Sequence, residues 1–270
     1  MTFDEYSAID AINWSSLKHL RTSPLAYQHA LQAPREDTAA LALGRAAHTL
    51  IFEPHLFEAE FALWEGDRRG KEWAQFKADN EGRTILKTTE IDDIAAMADA
   101  VRRHPLVSRY FSGAEFEQTM VWTDPRTGAA CKARADWMQP ANRILLDFKT
   151  CRSVDGRRFG AEAARWGYHL QLAHYRFGCA HALGWSPRRV LIVAAEKTAP
   201  FDVAVFEVDS MSLELAEAEL SELMDRLISC RQAGQWPGRY TEEQALQLPA
   251  WIYADDEDDA DGFGLSSGDY

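Results

Sequence analysis

The order of apolar and polar positions divides the chain into a helical front part and a back part where strands and helices mix. Residues 12–33 carry Trp14, Leu17, Leu20 and Leu25 at helix-like spacing, with Asn13, Ser15 and Ser16 available as caps, and predict a helical entry. Thr38 to Phe52, rich in Ala and Leu, predicts a second helix. Residues 88–103, with Ile91, Ile94, Met97 and Val101 at helical spacing, predict a third. Residues 54–85 between them are mixed, with Trp64, Trp73 and Phe76 available for packing. The pattern then changes. EFEQTMVWT (115–123), ACKARADWM (130–138) and ILLDFKT (144–150) favour strand and are separated by the turn sequences DPRTG and PANR, which predicts an antiparallel meander. A long helix is expected from Arg158 to Leu183, ended by Gly184, then strands at 189–196 and 202–208 and a last helix over 211–233. The expected fold class is α/β with a helical N-terminal part, one domain over residues 1–254 followed by a disordered acidic tail over 255–270.

Composition narrows the function. Hydrophobic residues make up 46% of 270 positions, enough for a substantial core. No apolar run reaches the roughly 18 residues of a membrane span, and the start MTFDEYSAID is no secretory signal, so a soluble cytoplasmic protein without a membrane partner is expected. Cys131, Cys151, Cys179 and Cys230 are scattered with no C-x-x-C pair, which argues against a zinc ribbon or an iron–sulfur cluster. The formal net charge of −13 looks unsuited to nucleic acid, but it is unevenly spread. Seven acids crowd the last 16 residues, whereas 126–176 holds ten basic residues against four acids. A locally basic middle can attract phosphate even in an acidic chain.

Within that middle lie the groups that carry chemistry. Residues two apart on a strand share a face, so Asp147 and Lys149 point the same way, and Asp136 shares a face with Lys132 and Arg134. Asp147 follows the apolar run Ile144-Leu145-Leu146, where a buried carboxylate needs a partner or a metal. Asp136, eleven residues earlier, suits the neighbouring strand, and Glu117 lies on the first. Three carboxylates in one pocket would favour Mg²⁺ or Mn²⁺, with the Lys149 ammonium placed to orient water or stabilise phosphate charge. His48, at the end of Gly44-Arg45-Ala46-Ala47-His48, could reach a metal or phosphate, or be structural. Gln171 and Tyr175 are one helical turn apart and can face one groove as DNA contacts, or be a surface and a core residue.

In order, G-x-x-x-H, E-Q on a strand, C-K-A-R-A-D, L-L-D-F-K-T and H-L-Q-L-A-H-Y closely resemble the PD-(D/E)xK nuclease superfamily, specifically its RecB-type and lambda-type exonuclease branch, including the exodeoxyribonuclease VIII (RecE) nuclease domains. LGRAAHTLIFEPHLFEAEF (43–61) and WPGRYTEEQALQLPAWIYADD (236–256) extend the resemblance over nearly all of 5–256. It implies a central mixed β-sheet flanked by helices. His48, Glu117, Asp136, Asp147 and Lys149 match the active-site positions, with the Phe148 carbonyl added to the metal shell and Gln171 and Tyr175 as the Q-x-x-x-Y motif. Lys132, Arg134 and Arg152 are expected to contact DNA. Many members carry E-x-K; this chain has Asp147-x-Lys149, as the RecE-like branch does. Clustered cysteines of the iron–sulfur relatives are missing, so no cluster is expected. The resemblance further implies Mg²⁺-dependent 5′-to-3′ digestion of linear double-stranded DNA to leave 3′ single strands, a homo-oligomeric ring (trimer or tetramer) and a RecT-like single-strand annealing protein as partner. Two alternatives are a catalytically idle DNA-end-binding scaffold and a Cas4-like or restriction-type nuclease.

Overall fold

The computed structural model describes residues 1, 3–33, 38–249 and 252; the acidic tail expected over 255–270 lies outside the described residues. The front part comprises helices α1 (Phe3–Ala8), α2 (Trp14–Leu17), α3 (Pro24–Gln32) and α4 (Ala39–Phe52). The helical entry expected over 12–33 is divided. Ser23 Oγ accepts the Ala26 N–H at 3.1 Å and Pro24 starts a fresh helix, where its missing N–H costs nothing. Thr38 caps α4 in the same way. Next come α5 (Phe57–Glu60), β1 (Phe61–Trp64), α6 (Gly70–Asp79), β2 (Thr84–Lys87), α7 (Thr88–Arg103) and α8 (Val107–Phe111). β1 and β2 form a small parallel sheet. Four residues apiece are too few to give a legible period, which is why residues 54–85 showed none.

The main sheet has the order β3 (Glu115–Thr123), β4 (Ala130–Gln139), β5 (Ile144–Cys151), β6 (Arg189–Glu196) and β7 (Val203–Glu207). Its pairs are antiparallel except β5–β6, which is parallel. A parallel pair needs a long crossover, supplied by α9 (Gly156–Trp166) and α10 (Tyr168–Ala182); α11 (Ser210–Ala233) ends the described elements. The single helix expected over 158–183 is therefore two. Gly167 between them has φ +71°, and a Cβ there would lie 2.8 Å from Trp14 Cζ2. Only glycine allows both the turn and the approach of α2.

Alternate residues of β5 and β6 face two separate cores. Leu145, Val190 and Ile192 join residues of α2, α10 and α11 such as Leu17, Leu172 and Leu220. Leu146, Phe148, Leu191 and Val193 join Ala47, Phe52, Ile94 and Met97 of α4 and α7. The result is a mixed sheet between two helical layers, as expected for an α/β fold. In β4 the alternation breaks at one place. Ala133 and Ala135 belong to the first core, but Trp137 belongs to the second and Met138 to the first. β3 makes the same exchange between Phe116 and Met120, and between them Glu117 stands at φ +53°. One left-handed residue inside a strand turns the following side chains over. The exchange in both strands centres on Glu117 and Asp136, which sit opposite each other between the pairs Phe116↔Trp137 and Gln118↔Ala135.

Candidate active site

The site forms where β4 and β5 part. Their ladder runs Gln139↔Ile144, Met138↔Leu145, Trp137↔Leu146 and goes no further. At the next position Asp136 meets β5 through its side chain: Oδ2 accepts the Phe148 N–H at 3.0 Å. In an extended strand the N–H and C=O of one residue face the same side, so the Phe148 carbonyl faces this opening too.

Into the opening project His48 from α4, Glu117 from β3 and Asp136 from β4. His48 Nε2 lies 3.2 Å from Glu117 Oε1 and 3.3 Å from Asp136 Oδ1. One ligand atom from each of the three lies within 4.8 Å of the others. The His48 ring rests edge-on against Phe52, one turn further along α4. A Cβ on Gly44, one turn earlier, would lie 3.5 Å from Thr150 Oγ1, which is ordinary contact, so the packing of α4 against β5 does not require glycine there.

Asp147 is fully buried and does not belong to that three-residue group. Lys149 Nζ pairs with its Oδ2, and Gln171 Nε2 donates to its Oδ1 at 3.2 Å. Gln171 also donates to the Tyr175 hydroxyl at 2.7 Å. Tyr175 is buried, so the Q-x-x-x-Y pair supports Asp147 from α10. Tyr168, one turn before Gln171, places its ring 5.1 Å from Lys149 Nζ in a cation–π contact. It was not singled out in the sequence, although the i, i+3, i+7 spacing of Tyr168, Gln171 and Tyr175 puts all three on one stripe.

Burial and like charge act strongly here. Burial and the Asp136 charge raise Glu117 to about 7, against His48 and Arg134. Burial and Asp136 likewise raise Asp147 to about 7, against Lys149. For Asp136 burial is overcome by His48, Lys149 and the Phe148 N–H, which hold it down at about 2. His48 is raised to about 9: burial works against its charge, but Asp136, Glu117 and Asp147 prevail. Lys149 is also raised, burial being outweighed by Asp147 and Asp136. Glu117 Oε1 and Asp147 Oδ2 are buried and accept no well-formed hydrogen bond, although His48 and Lys149 lie beside them. Hard oxygen donors in a pocket of crowded acids suit a divalent cation such as Mg²⁺ or Mn²⁺.

The expected basic contacts divide. Arg152 is exposed just beyond β5. Lys132 is 4% exposed, and its ammonium donates to the carbonyls of Tyr6, Ser7 and Ile9 at 2.8, 3.1 and 2.7 Å. It closes the C-terminal end of α1, which corrects the expectation that it contacts DNA. Arg134 is corrected for the same reason: its side chain is 8% exposed and paired with Glu117 and Glu53. The four cysteines are free and buried on separate elements.

A mixed sheet covered on both faces, with acids, a histidine and a lysine gathered where two strands part, defines the PD-(D/E)xK type of α/β domain. Over residues 13–247 the chain matches the PDDEXK-like domain of unknown function DUF3799, and it belongs to that family. A crystal structure of a candidate exonuclease from Eubacterium rectale is similar in fold, with a TM-score of 0.64 at 17% identity, covering 95% of this chain and 98% of that one. A phage-related exonuclease from Haemophilus somnus 129PT matches more loosely, with a TM-score of 0.35 at 11% identity over 83% of this chain and 96% of that one. No curated protein matches the chain. Among the described residues no helix is long and apolar enough to cross a membrane.

Proposed function

We propose that the protein is a metal-dependent deoxyribonuclease that degrades linear double-stranded DNA from its ends. The observation that carries this reading is the meeting of His48, Glu117 and Asp136 within 4.8 Å beside the buried Asp147 and its partner Lys149. His48, Glu117, Asp136, Asp147 and the Phe148 carbonyl would hold the cation, Mg²⁺ with Mn²⁺ as a substitute. When bound, such a cation supplies Lewis-acid polarisation of the phosphate and a more acidic water. The chain's own groups do the rest. Asp147 and Asp136 outweigh the burial of Lys149 and raise its pKa, and its ammonium is placed to donate to a phosphate oxygen or water. Gln171, backed by Tyr175, holds the Asp147 carboxylate, and Tyr168 lies against Lys149. Arg152 is free of the core and suited to the DNA backbone.

The lambda-type resemblance extends the proposal to 5′-to-3′ polarity, 3′ single-stranded products for recombination, a ring-shaped trimer or tetramer and a RecT-like annealing partner. End-labelled linear duplex incubated with Mg²⁺ should lose its 5′ label first, while closed circular duplex stays intact. Asp147→Asn and Lys149→Met should each lower the rate by ~10²-fold or more, on the scale of removing one transition-state donor. Full rates in both variants, or digestion that persists in a chelator, would refute the assignment.

A further inference from the structure

We infer that Arg134, backed by Glu53, is a positioning residue that sets the Glu117 carboxylate for the cation; this rests on the metal-site reading above. Arg134 Nε donates to Glu117 Oε2 at 2.6 Å. That leaves Glu117 Oε1 as the oxygen facing His48 Nε2, and it is the one without a well-formed hydrogen bond. The guanidinium is itself held on two further sides. Nη2 donates to Glu53 Oε2 at 3.2 Å and Nη1 to the Met1 carbonyl at 3.1 Å. With its side chain 8% exposed, it offers little surface to a phosphate.

Two features explain why Glu117 needs such a brace. Its backbone stands at φ +53°, a conformation that a non-glycine residue holds only when its surroundings impose it. Its carboxylate also lies beside Asp136, whose charge opposes its own. A planar guanidinium donates in fixed directions, which an ammonium does not. Glu53 is the residue that ends α4, five positions after His48. One helix thus supplies both a candidate ligand and the support for another, which keeps them in register. Glu53 also offsets the charge of Arg134, so Glu117 is oriented without a net cation set against the metal. The chain contacts are long in sequence: Arg134 is 17 residues from Glu117 and 81 from Glu53.

The test is Mn²⁺ binding to the full chain without DNA, by calorimetry and by the Mn²⁺ electron paramagnetic resonance signal. Wild type, Asp136→Asn, Arg134→Gln, Glu53→Gln and the Arg134→Gln/Glu53→Gln pair are compared, with thermal midpoints of the metal-free proteins as the check on folding. Arg134→Gln should weaken Mn²⁺ binding by ~10–100-fold, the usual cost of losing a group that orients a ligand. Glu53→Gln should weaken it less, and the pair should be no worse than Arg134→Gln alone. Metal-free DNA binding and its salt dependence should stay as in wild type. If Arg134→Gln does not fold, Glu53→Gln carries the test. Unchanged or tighter Mn²⁺ binding in the folded variant would overturn the inference. So would a salt slope reduced by about one with Mn²⁺ binding unaltered, which would make Arg134 a phosphate contact. If wild type and Asp136→Asn bind Mn²⁺ alike, the metal-site reading itself fails.

Discussion

At the residue scale, two polar groups beside the strand β4 have opposite demands. Asp136 keeps its charge because charged partners and an N–H surround it. Behind the same strand, His174 of α10 is buried with its Nε2 3.1 Å from the Lys132 carbonyl and its ring 4.9 Å from that of Trp122. Burial pushes its pKa from 6.5 down to about 4. The unfolded chain therefore binds a proton at His174 between about pH 6.5 and 4 that the folded chain refuses. Its contribution to stability is present above pH 6.5 and is lost as the pH falls toward 4, by about 3 kcal/mol in all. Urea unfolding of wild type and His174→Gln at pH 7 and pH 4.5 checks this. The acid-induced loss should be about 2–3 kcal/mol smaller in the variant, and equal losses would contradict it. Asp147 and Lys149 were legible in the sequence because a carboxylate after an apolar run is conspicuous, and Glu117 and Asp136 because they lie on the neighbouring strands in the motif order. Lys132 and Arg134 were not: basic residues on an alternating strand resemble a solvent face, and the carbonyls of α1 and the Glu53 carboxylate that cover them come from distant segments.

At the element scale, the sequence pattern located the strands of the main sheet closely, because period-2 runs bounded by turn residues are a local property. The break between α9 and α10 was hidden, because Gly167 sits inside a pattern that reads as one helix. Its necessity comes from Trp14 on α2, which occupies the space a side chain would fill. Gly167→Ala should lower stability by about 2 kcal/mol, since it combines a left-handed backbone with a clash. It should also reduce nuclease activity, because α10 carries Gln171 against Asp147. Chemical denaturation measures the first effect; a wild-type midpoint would show that the helices re-pack without strain. The exchange of faces at Glu117 and Asp136 was equally hidden. The alternating text of residues 130–138 suggests one unbroken pleat, and a single backbone reversal in β3 undoes it.

At the scale of the whole molecule, the crowded acids are a cost of folding that the proposed divalent cation would relieve. A ligand that binds only the folded state at about 100 times its Kd adds about 2.7 kcal/mol. For a chain of this length that corresponds to a rise in Tm of about 5–10 °C. Saturating Mg²⁺ or Mn²⁺ should produce such a rise in wild type and little or none in Asp136→Asn, read by differential scanning fluorimetry. A wild-type Tm indifferent to both ions would argue against a cation at this site. The net charge of −13 hides a local excess of positive charge in the middle of the chain. Part of that excess serves the interior, in Lys132 and Arg134, so the surface is less basic there than a count of residues suggests.

The sequence by itself determined the strands of the main sheet, their order and the α/β class, and it nominated the acids and the lysine as candidates, since each of these follows from local periodicity or from a motif of fixed spacing. The tertiary structure decided which side of the sheet each group faces, which basic residues are buried, and that Glu53 and Tyr168 stand beside the site. These depend on a left-handed backbone at Glu117, on a glycine fitted against Trp14 and on contacts between distant segments, and no period along the chain carries that information.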